Sequence, residues 1–162
     1  MSTPFRLRVP RQLLDEILSQ AKGELPNECC GLLAGLIDPS TSSDPVDSVD
    51  CARVGTVVWR HPLVNQAASP KEYESAPESL FEAFRHMQKH GLELLGIYHS
   101  HPTSAPIPSR KDLESNFYGD RVVHFIVSLA GPEPLIRGWW LSADAHREAE
   151  WEIIEGSGPS RT

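Results

Sequence analysis

The sequence predicts an α+β fold in which a mixed β-sheet carries a few packed helices. Segments with helical periodicity are separated by apolar or alternating segments of strand length, in the order strand, helix, several strands, helix, strand, helix, strands. The chain has 162 residues and no internal repeat. This length fits a single domain with a sizeable core.

The composition indicates which kinds of binding partner and which cellular compartment to expect. The 22 acidic residues outnumber the 15 Lys and Arg residues, and a net charge of −7 disfavours nucleic acid or an anionic membrane as the main partner. The first ten residues lack the apolar core of a signal peptide, and no segment approaches the roughly 18 apolar residues of a membrane span. We therefore expect a cytoplasmic protein. Its three cysteines, Cys29, Cys30 and Cys51, do not suggest a disulfide framework.

The first half of the chain predicts three strands and one helix. Apolar residues alternate over residues 5–9, as in a short strand, and the helix that follows is expected to end at Gly23. The predicted buried face of this helix consists of Leu13, Leu14, Ile17, Leu18 and Ala21. The apolar run 28–37 predicts a buried strand, residues 38–50 an exposed acidic loop rich in Ser and Pro, and residues 51–60 the next strand.

The second half predicts two helices and four strands. A long irregular connection over residues 61–77 leads to a helix that ends at Gly91. The predicted buried face of this helix consists of Leu80, Phe81, Phe84 and Met87. A strand over residues 92–100 follows, and a short helix starts near Ser109. The last three strands are expected over residues 121–130, 135–141 and 147–155.

Two histidines mark the end of the strand predicted from residue 92 onward. His99 and His101 are separated by one residue, so in an extended strand both side chains project from one face and can converge on an ion. Ser109 and Asp112 form the pattern S-x-x-D at a helix start, where the serine would cap the helix. Two imidazoles and one carboxylate leave a tetrahedral zinc ion one open position, as in catalytic sites.

Each of these residues also has a plainer interpretation. An isolated H-x-H pair is more often a surface or packing pair, and an isolated S-x-x-D is most often an ordinary helix cap. A hydrolytic zinc centre also needs a base for its water. Glu28 is the candidate base because it enters a buried strand, although a glutamate before an apolar run is more often a solvated strand end. The combination of these residues favours a catalytic metal site.

The segment GIYHSHPTSAPIPSRKD, residues 96–112, resembles the JAMM motif of the MPN (JAB1/Mov34) metalloproteases. That motif reads H-[ST]-H-P, a spacer and S-x-x-D, with a glutamate far upstream. NECCGLLAG, residues 27–35, is similar to the upstream glutamate segment of short prokaryotic members. NQAASPKEYESAP, residues 65–77, resembles the N-x-x-x-S-x-x-x-[YF] stretch between those two segments. The likeness covers residues 6–140, which is most of the chain.

The resemblance implies a role for each residue that matches the motif. His99, His101 and Asp112 would be the ligands of a Zn²⁺ ion, with water as the fourth ligand. Glu28 would be the general acid/base, and Ser109 would form a hydrogen bond to the developing oxyanion or to the catalytic water. No position of the motif is substituted, which disfavours the catalytically inactive branch of the family.

The resemblance also implies a fold and a substrate. The fold is a cytidine-deaminase-like three-layer type, with one MPN/JAB domain over residues 1–155 and a flexible tail over residues 156–162. The reaction is hydrolysis of the peptide or isopeptide bond after the C-terminal Gly-Gly of ubiquitin or a ubiquitin-like protein, whose extended tail is expected to pair with a sheet edge. Short prokaryotic members are associated with ubiquitin-fold sulfur carriers. The spacer of 10 residues between His101 and Asp112 favours a sulfur-carrier adduct over polyubiquitin.

Two rival functions come from other classes. One is a non-catalytic MPN-type scaffold that binds a ubiquitin-fold partner, for which loss of a ligand or of the glutamate would be expected. The other is a zinc hydrolase with a small-molecule substrate, such as a deaminase. Zinc deaminases use a cysteine-rich ligand set with a P-C-x-x-C element, which this sequence lacks.

The remaining chemically notable residues have structural interpretations. Cys30 is expected near the metal site as a small buried hydrophobe. Of Trp139 and Trp140, which adjoin in a strand, one is expected in the core and the other at the surface. His86 and His90 lie four residues apart on a helix and could in principle bind a metal, but a solvated face is the favoured interpretation.

Overall fold

The computed structural model describes residues 4–39 and 53–155, which form eight strands and three helices. The strands are β1 Arg6–Pro10, β2 Cys30–Pro39, β3 Arg53–Leu63, β4 Glu93–His101, β5 Val123–Ser128, β6 Leu135–Leu141, β7 His146–Glu148 and β8 Trp151–Ile154. The helices are α1 Arg11–Gly23, α2 Pro77–His90 and α3 Arg110–Glu114. None of these helices is long and apolar enough to cross a lipid bilayer.

All eight described strands belong to one mixed sheet with the order β7-β6-β5-β4-β2-β3-β1-β8. The pairs β4–β5, β1–β3 and β1–β8 are parallel, and the other neighbours are antiparallel. The single domain and its mixed sheet confirm the predicted α+β class. β4, which carries the two histidines of the motif, lies inside the sheet with neighbours on both edges.

The sheet curls until its two outer strands approach each other. β7 pairs with β6 at one edge and β8 pairs with β1 at the other, yet only Ala149 and Glu150 separate them in the chain. The amide of Ala149 donates to the carbonyl of Gly138 at 2.8 Å, and the amide of Leu7 donates to the carbonyl of Glu150 at 3.2 Å. The single strand predicted over residues 147–155 is therefore wrong, because this segment leaves one edge of the sheet and joins the other.

Helices cover both faces of the sheet, which agrees with the expected three-layer arrangement. α1 packs its Leu14 and Ile17 into a core cluster that includes Leu33 of β2. α2 packs Ala83 and Met87 into a second cluster on the opposite face. Successive side chains of β2 point to opposite faces of the sheet. Leu32 and Ala34 therefore belong to the α2 cluster, and Leu33 belongs to the α1 cluster.

The buried face of α2 differs from the predicted one. Ala83 and Met87 are its buried residues, whereas Phe81 is 64% exposed and Phe84 is 38% exposed. Helical periodicity identifies an apolar side of the helix, but the sheet contacts only the strip that runs through residues 83 and 87. The guanidinium of Arg85 lies 5.9 Å from the centre of the Phe81 ring. The predicted end at Gly91 is confirmed, because this residue caps the helix with a left-handed φ of 65°.

The two adjacent tryptophans are both buried, so the expectation that one lies at the surface is wrong. Trp140 has no exposed area and belongs to the α1 cluster. Trp139 is 5% exposed and packs with Ile126 and Leu141 on the opposite face, where Leu113 of α3 joins them. Alternation sends the two rings to opposite faces as expected, but both faces are covered at this point of β6.

Part of the predicted acidic loop belongs to the sheet. Asp38 pairs with Val54, and Pro39 pairs with Arg53, so β2 continues two residues into the segment predicted as loop. Residues 40–50 of that loop lie outside the described residues. The same holds for Cys51 and for the tail predicted over residues 156–162.

Gly31 is expected to be essential for the packing of β2 against β4. A Cβ atom at this position would lie 2.1 Å from the ring and hydroxyl of Tyr98, whose side chain is fully buried. Gly31→Ala should therefore displace that ring and lower the free energy of unfolding by about 1–3 kcal/mol. For a chain of this size we expect the melting temperature to fall by roughly 3–10 °C.

Gly23→Ala is the matched control, because nothing lies within 4 Å of a Cβ atom at that position at the end of α1. Its melting temperature should equal or slightly exceed that of the unsubstituted chain. Equal melting temperatures for Gly31→Ala and Gly23→Ala would contradict the packing described here.

Candidate metal centre

The two histidines of the motif lie at the carboxyl end of β4 and face the α2 side of the sheet. His99 is 1% exposed and His101 is 4% exposed. The pairing of β4 with β2 skips Leu95, because Leu33 pairs with Gly96 and Ala34 with Leu94. This bulge sends Leu95 into the α1 cluster and leaves the histidines on the opposite face. The predicted placement of both side chains on one face at the strand end is confirmed.

The loop after His101 is fixed by three hydrogen bonds from sheet residues. The Oγ of Ser128 donates to the carbonyl of Ser104 at 2.6 Å, and the Nε1 of Trp139 donates to the carbonyl of Pro106 at 2.9 Å. The Nδ1 of His101 lies 2.8 Å from the carbonyl of Ala105. A carbonyl only accepts, so Nδ1 carries the proton and the lone pair of a neutral imidazole lies on Nε2.

Ser109 caps α3 as the sequence predicts. Its Oγ accepts from the amide of Asp112 at 3.1 Å, and its own amide donates to Oδ2 of Asp112 at 2.8 Å, which completes a capping box. The cap therefore fixes the first turn of α3 and orients the carboxylate of Asp112 at the same time. This carboxylate is 10% exposed and faces the two histidines.

Three side chains that are separated along the sequence converge here on one point. The Nε2 atoms of His99 and His101 are 3.1 Å apart, and each lies 3.2 Å from an oxygen of Asp112. Ligands at about 2.0–2.1 Å from a tetrahedral zinc ion lie roughly 3.3 Å from one another. The donor set and its spacing therefore fit a zinc ion. Among the described residues this is the one group of three or more His, Cys, Asp or Glu side chains close enough to hold a metal.

The charge state of Asp112 also suits a metal ligand. Burial alone would raise the pKa of this carboxyl group, but its contacts with His101 and His99, together with the hydrogen bond from the amide of Ser109, hold the pKa far below its usual range. The group is therefore ionised at every working pH, and a carboxylate must be ionised to bind a cation.

Glu28 lies beside this group, immediately before β2, and is 4% exposed. Its amide donates to the carbonyl of Ser69, and its carbonyl accepts from Nδ2 of Asn65, both at 2.9 Å. The next residue is held by Ser100, whose Oγ accepts from the amide of Cys29 at 2.8 Å. The amide of Ser100 also donates to the carbonyl of Cys29 at 3.1 Å. Ser100 stands between the two histidines in β4, so two hydrogen bonds link the backbone that carries Glu28 to the strand that carries the histidines.

The carboxyl group of Glu28 is poorly solvated. Its Oε1 has no hydrogen-bond partner among the described residues. Burial raises the pKa of Glu28 to about 7, although the nearby His101 opposes this shift. A carboxyl group with a pKa near neutrality can accept and return a proton at working pH.

Sequence reasoning assigned no role to two residues that support the site. The ring of Tyr73 stacks on His99 with centroids 4.8 Å apart. Asn65 accepts from the amides of Ala67 and Glu74 and donates to the carbonyl of Glu28, so it orders the connection after β3. The signal was present, because the N-x-x-x-S-x-x-x-Y pattern contains Asn65 and Tyr73.

Other candidates for metal binding or thiol chemistry have different surroundings. His86 lies between His61 and His90, with ring centroids at 4.9 and 4.3 Å. The nitrogen atoms of these three rings are not close enough to one another to form a second metal-binding group. Cys29 and Cys30 are free and fully buried. Burial raises the pKa of the Cys30 thiol to about 12, so it remains protonated and packs as a small apolar side chain.

Comparison with known sequences places this chain among the prokaryotic homologs of the JAB domain, whose pattern matches residues 10–142. A desampylase of Haloferax volcanii is 36% identical over 117 residues, which are 69% of this chain and 73% of the relative. A probable TtuB-protein conjugate cleaving protease of Thermus thermophilus is 35% identical over 67% of this chain and 62% of the relative. A CysO-cysteine peptidase of Mycobacterium tuberculosis is 27% identical over 69% of this chain and 66% of the relative. The chain thus spans less than two thirds of the latter two relatives.

Solved structures show the same fold. A solution structure from Desulfitobacterium hafniense has a TM-score of 0.75 and 29% identity, and the match covers 93% of this chain and 94% of that one. A JAB1/MPN domain protein of Archaeoglobus fulgidus has a TM-score of 0.52 and 23% identity over 92% of this chain and 98% of the other, a likeness of fold alone. The match to the domain pattern over most of the chain and the desampylase relative together show that this protein belongs to the prokaryotic JAB domain family.

Proposed function

We propose that this protein is a zinc-dependent metallopeptidase that cleaves the peptide or isopeptide bond after the C-terminal Gly-Gly of a ubiquitin-like protein, with a sulfur-carrier adduct as its substrate. The observation that carries this proposal is the convergence of His99, His101 and Asp112 beside the buried carboxyl group of Glu28. The names of the relatives, which include a desampylase and a CysO-cysteine peptidase, support the substrate class. A non-catalytic scaffold does not account for a complete ligand set and a buried, poorly solvated glutamate.

Two of the three ligand residues are prepared for a cation before it binds. His101 presents Nε2 because its Nδ1 is engaged by the carbonyl of Ala105, and Asp112 is ionised. Two imidazoles and one carboxylate leave a tetrahedral zinc ion one coordination position for water or substrate. A zinc ion held there supplies Lewis-acid chemistry, since it polarises a carbonyl group and acidifies water.

Glu28 is proposed as the group that moves the proton. Its carboxylate accepts a proton from the attacking water and passes it to the leaving amine, which is the work of a general base that then becomes a general acid. In the metal-free protein burial raises the pKa of Glu28 to about 7, and a zinc ion nearby would favour the carboxylate form that accepts the proton. The hydrogen bonds of its backbone to Ser69 and Asn65 fix the main-chain position from which the side chain extends.

Ser109 is proposed to stabilise the charge that develops on the scissile carbonyl oxygen. Its Oγ already accepts a hydrogen bond from the amide of Asp112. A hydroxyl group that accepts one hydrogen bond still has its own proton to donate. Because the capping box fixes Ser109 next to the ligand Asp112, this donor is preorganised, which is the property that makes oxyanion donors effective.

The substrate tail cannot pair with β4, because both edges of this strand are already occupied. The expected pairing with a sheet edge therefore needs another extended segment. Residues 72–75 provide such a segment. The side chain of Asn65 donates to the carbonyl of Glu72 and accepts from the amide of Glu74. The amide of Gln66 donates to the carbonyl of Glu74. Alternate residues of an extended chain direct their backbone groups to opposite sides, so those of Tyr73 face away from Asn65. We propose that these backbone groups pair with the substrate tail.

Cleavage of a ubiquitin-fold carrier is the direct test of this function. The zinc-loaded protein is incubated with sulfur-carrier proteins that bear a peptide or cysteine after Gly-Gly, and mass spectrometry identifies the products. We expect cleavage after the second glycine, and loss of cleavage when a chelator is added. A carrier with Ala-Ala in place of Gly-Gly is the control. Intact substrates at equimolar enzyme, or cleavage that persists in the chelator, would contradict the proposal.

Removal of a ligand should remove the metal. His99→Ala and Asp112→Ala each leave two of the three protein ligands, so we expect the zinc content to fall from about one equivalent to well below half. Elemental analysis after dialysis against a weak chelator measures this content. His90→Ala, on the exposed end of α2, is the control and should keep the full equivalent. Unchanged zinc in both ligand variants would place the metal elsewhere.

Glu28→Gln should keep the metal and lose the reaction. The amide has the shape of the carboxyl group but cannot move a proton, and general acid–base catalysis contributes about 10²–10⁴-fold to rates. We expect kcat to fall by at least about 100-fold at unchanged zinc content, measured by product formation and elemental analysis. A variant that retains full turnover would eliminate Glu28 as the base.

The same variant has a second expected signature in the stability of the metal-free protein. Burial raises the pKa of Glu28 from 4.5 to about 7, so folding takes up a proton between these pH values and stability falls as the pH rises through them. Glu28→Gln should therefore be more stable than the unsubstituted chain at pH 8, and the difference should shrink towards pH 4.5. Urea titrations at both pH values measure it, and a difference independent of pH would show that the carboxyl group is well solvated.

A further inference from the structure

A cavity of about 400 Å³ adjoins the metal centre and is lined in part by Asp112. Its floor is a row of side chains across three strands, because Leu32 of β2 pairs with Ile97 of β4, and Ile97 pairs with His124 of β5. The row that contains His99 lies two residues further along the same strands. At about 3.3 Å per residue, the floor of the cavity is roughly 7 Å from the metal-binding histidine.

The walls of the cavity are irregular chain on both sides of this floor. Residues 72–75 and Leu80 form one wall, and residues 115–118 after α3 form the other. Tyr73 and Tyr118 contribute aromatic rings to the lining, and Phe117 is 90% exposed beside it. Leu32, Ile97 and Leu80 are apolar, so the cavity favours an apolar group, and its rings favour a flat one.

His124 is the exception in this apolar floor. It is 4% exposed, and its Nε2 has no hydrogen-bond partner among the described residues. Buried polar groups nearly always have a partner, and leaving one unpaired destabilises the protein. Burial lowers the pKa of His124 to about 3, an effect to which His99 adds, so the ring is uncharged. The side chain therefore offers a hydrogen bond without offering a charge.

The charges around the cavity do not favour an anionic occupant. The one cation among the lining residues, Lys111, forms an ion pair with Glu72, and Glu74 contributes a further carboxylate. Asp112 also lines the cavity, but a zinc ion held there would balance its charge. A carboxylate or phosphate entering the cavity would therefore find no free cation among the lining side chains, whereas a neutral group does not need one.

We propose that this cavity is a substrate side-chain pocket in which His124 selects an uncharged, flat apolar side chain that ends in one hydrogen-bonding group, as the phenol of tyrosine does. This proposal rests on the proposed peptidase function, because it places the selected residue in the substrate. An extended substrate rises about 3.3 Å per residue, so the roughly 7 Å offset corresponds to about two positions from the scissile bond. Because the two positions before the bond are Gly-Gly, the selected residue is the second one after it. His124 is then a specificity-determining residue rather than part of the chemistry.

The first test measures binding and needs no turnover. The zinc-loaded protein is titrated with p-cresol, which mimics the tyrosine side chain, and with toluene, which lacks the hydroxyl group, and chemical shifts report both affinities. One neutral hydrogen bond corresponds to about a three- to tenfold preference for p-cresol. In His124→Leu we expect the two affinities to become equal, and in His124→Gln we expect the preference to survive. His90→Leu is the matched control on an exposed histidine and should keep the preference.

His124→Leu is expected to fold, because it replaces an unpaired buried polar group with an apolar side chain of similar size, and its melting temperature should not fall. Equal affinities for p-cresol and toluene in the unsubstituted chain would overturn the proposal. So would a preference that persists in His124→Leu. The titrations are repeated after the metal has been removed by a chelator. Even if the protein proves not to bind zinc, the ratio of the p-cresol affinity to the toluene affinity shows whether His124 recognises a hydroxyl group.

The second test locates the selected residue in the substrate. Carrier adducts that keep Gly-Gly before the scissile bond and carry Tyr or Phe at the second position after it are compared by kcat/KM. We expect about a three- to tenfold preference for Tyr at this position, and its loss in His124→Leu. Cleavage with no preference for Tyr over Phe would overturn the pocket assignment while leaving the peptidase function intact.

Discussion

β4 is hydrogen-bonded along both edges, to β2 on one side and to β5 on the other, and the geometry of the metal centre depends on this placement. Cys30 pairs with His99, so the approach of Glu28 to the histidines is set by the register of the two strands. A slip of one residue would turn His99 and His101 to the α1 face of the sheet. The hydrogen bond from Cys29 to Ser100 secures this register at the site itself.

The residues that support the candidate metal centre have hydrogen-bond partners for their polar side-chain atoms, whereas two of the proposed functional side chains each have a polar atom without one in the described part of the chain. Asn65 uses both ends of its amide, and Asp112 and Ser109 satisfy each other across the start of α3. In contrast, Oε1 of Glu28 and Nε2 of His124 are buried without partners among the described residues. Of the eight such atoms among the described residues, these two and Nδ1 of His99 lie at the candidate metal centre and its cavity, and the other five lie elsewhere. An unpartnered buried polar atom lowers stability, and under the proposed function a substrate would supply the partners that Glu28 and His124 lack.

Sequence patterns predicted the parts of the site that are local in the chain. The i, i+2 spacing places His99 and His101 on one face of a strand, and the S-x-x-D spacing fixes Ser109 and Asp112 through a helix cap. The approach of Glu28 depends on how β2 pairs with β4, which periodicity does not encode, and only the family resemblance linked it to the histidines. The errors in the buried face of α2 and in the last strand share this origin. A pattern identifies an apolar side, but the partners of that side are chosen by distant parts of the chain.

In the cavity beside the candidate metal centre, the floor consists of strand residues and the walls of irregular chain. This division would allow the choice of substrate to vary independently of the chemistry. His99, His101 and His124 all stand on strands inside the sheet, so their spacing is fixed by hydrogen-bonded pairs. The walls of the cavity at residues 72–75 and 115–118 are largely irregular chain, which tolerates change better than strands do. A substitution at His124 exchanges one buried side chain for another on a rigid floor and leaves His99, His101 and Asp112 in place. Under the proposed function, the group that the pocket accepts can therefore change while the proposed catalytic centre does not.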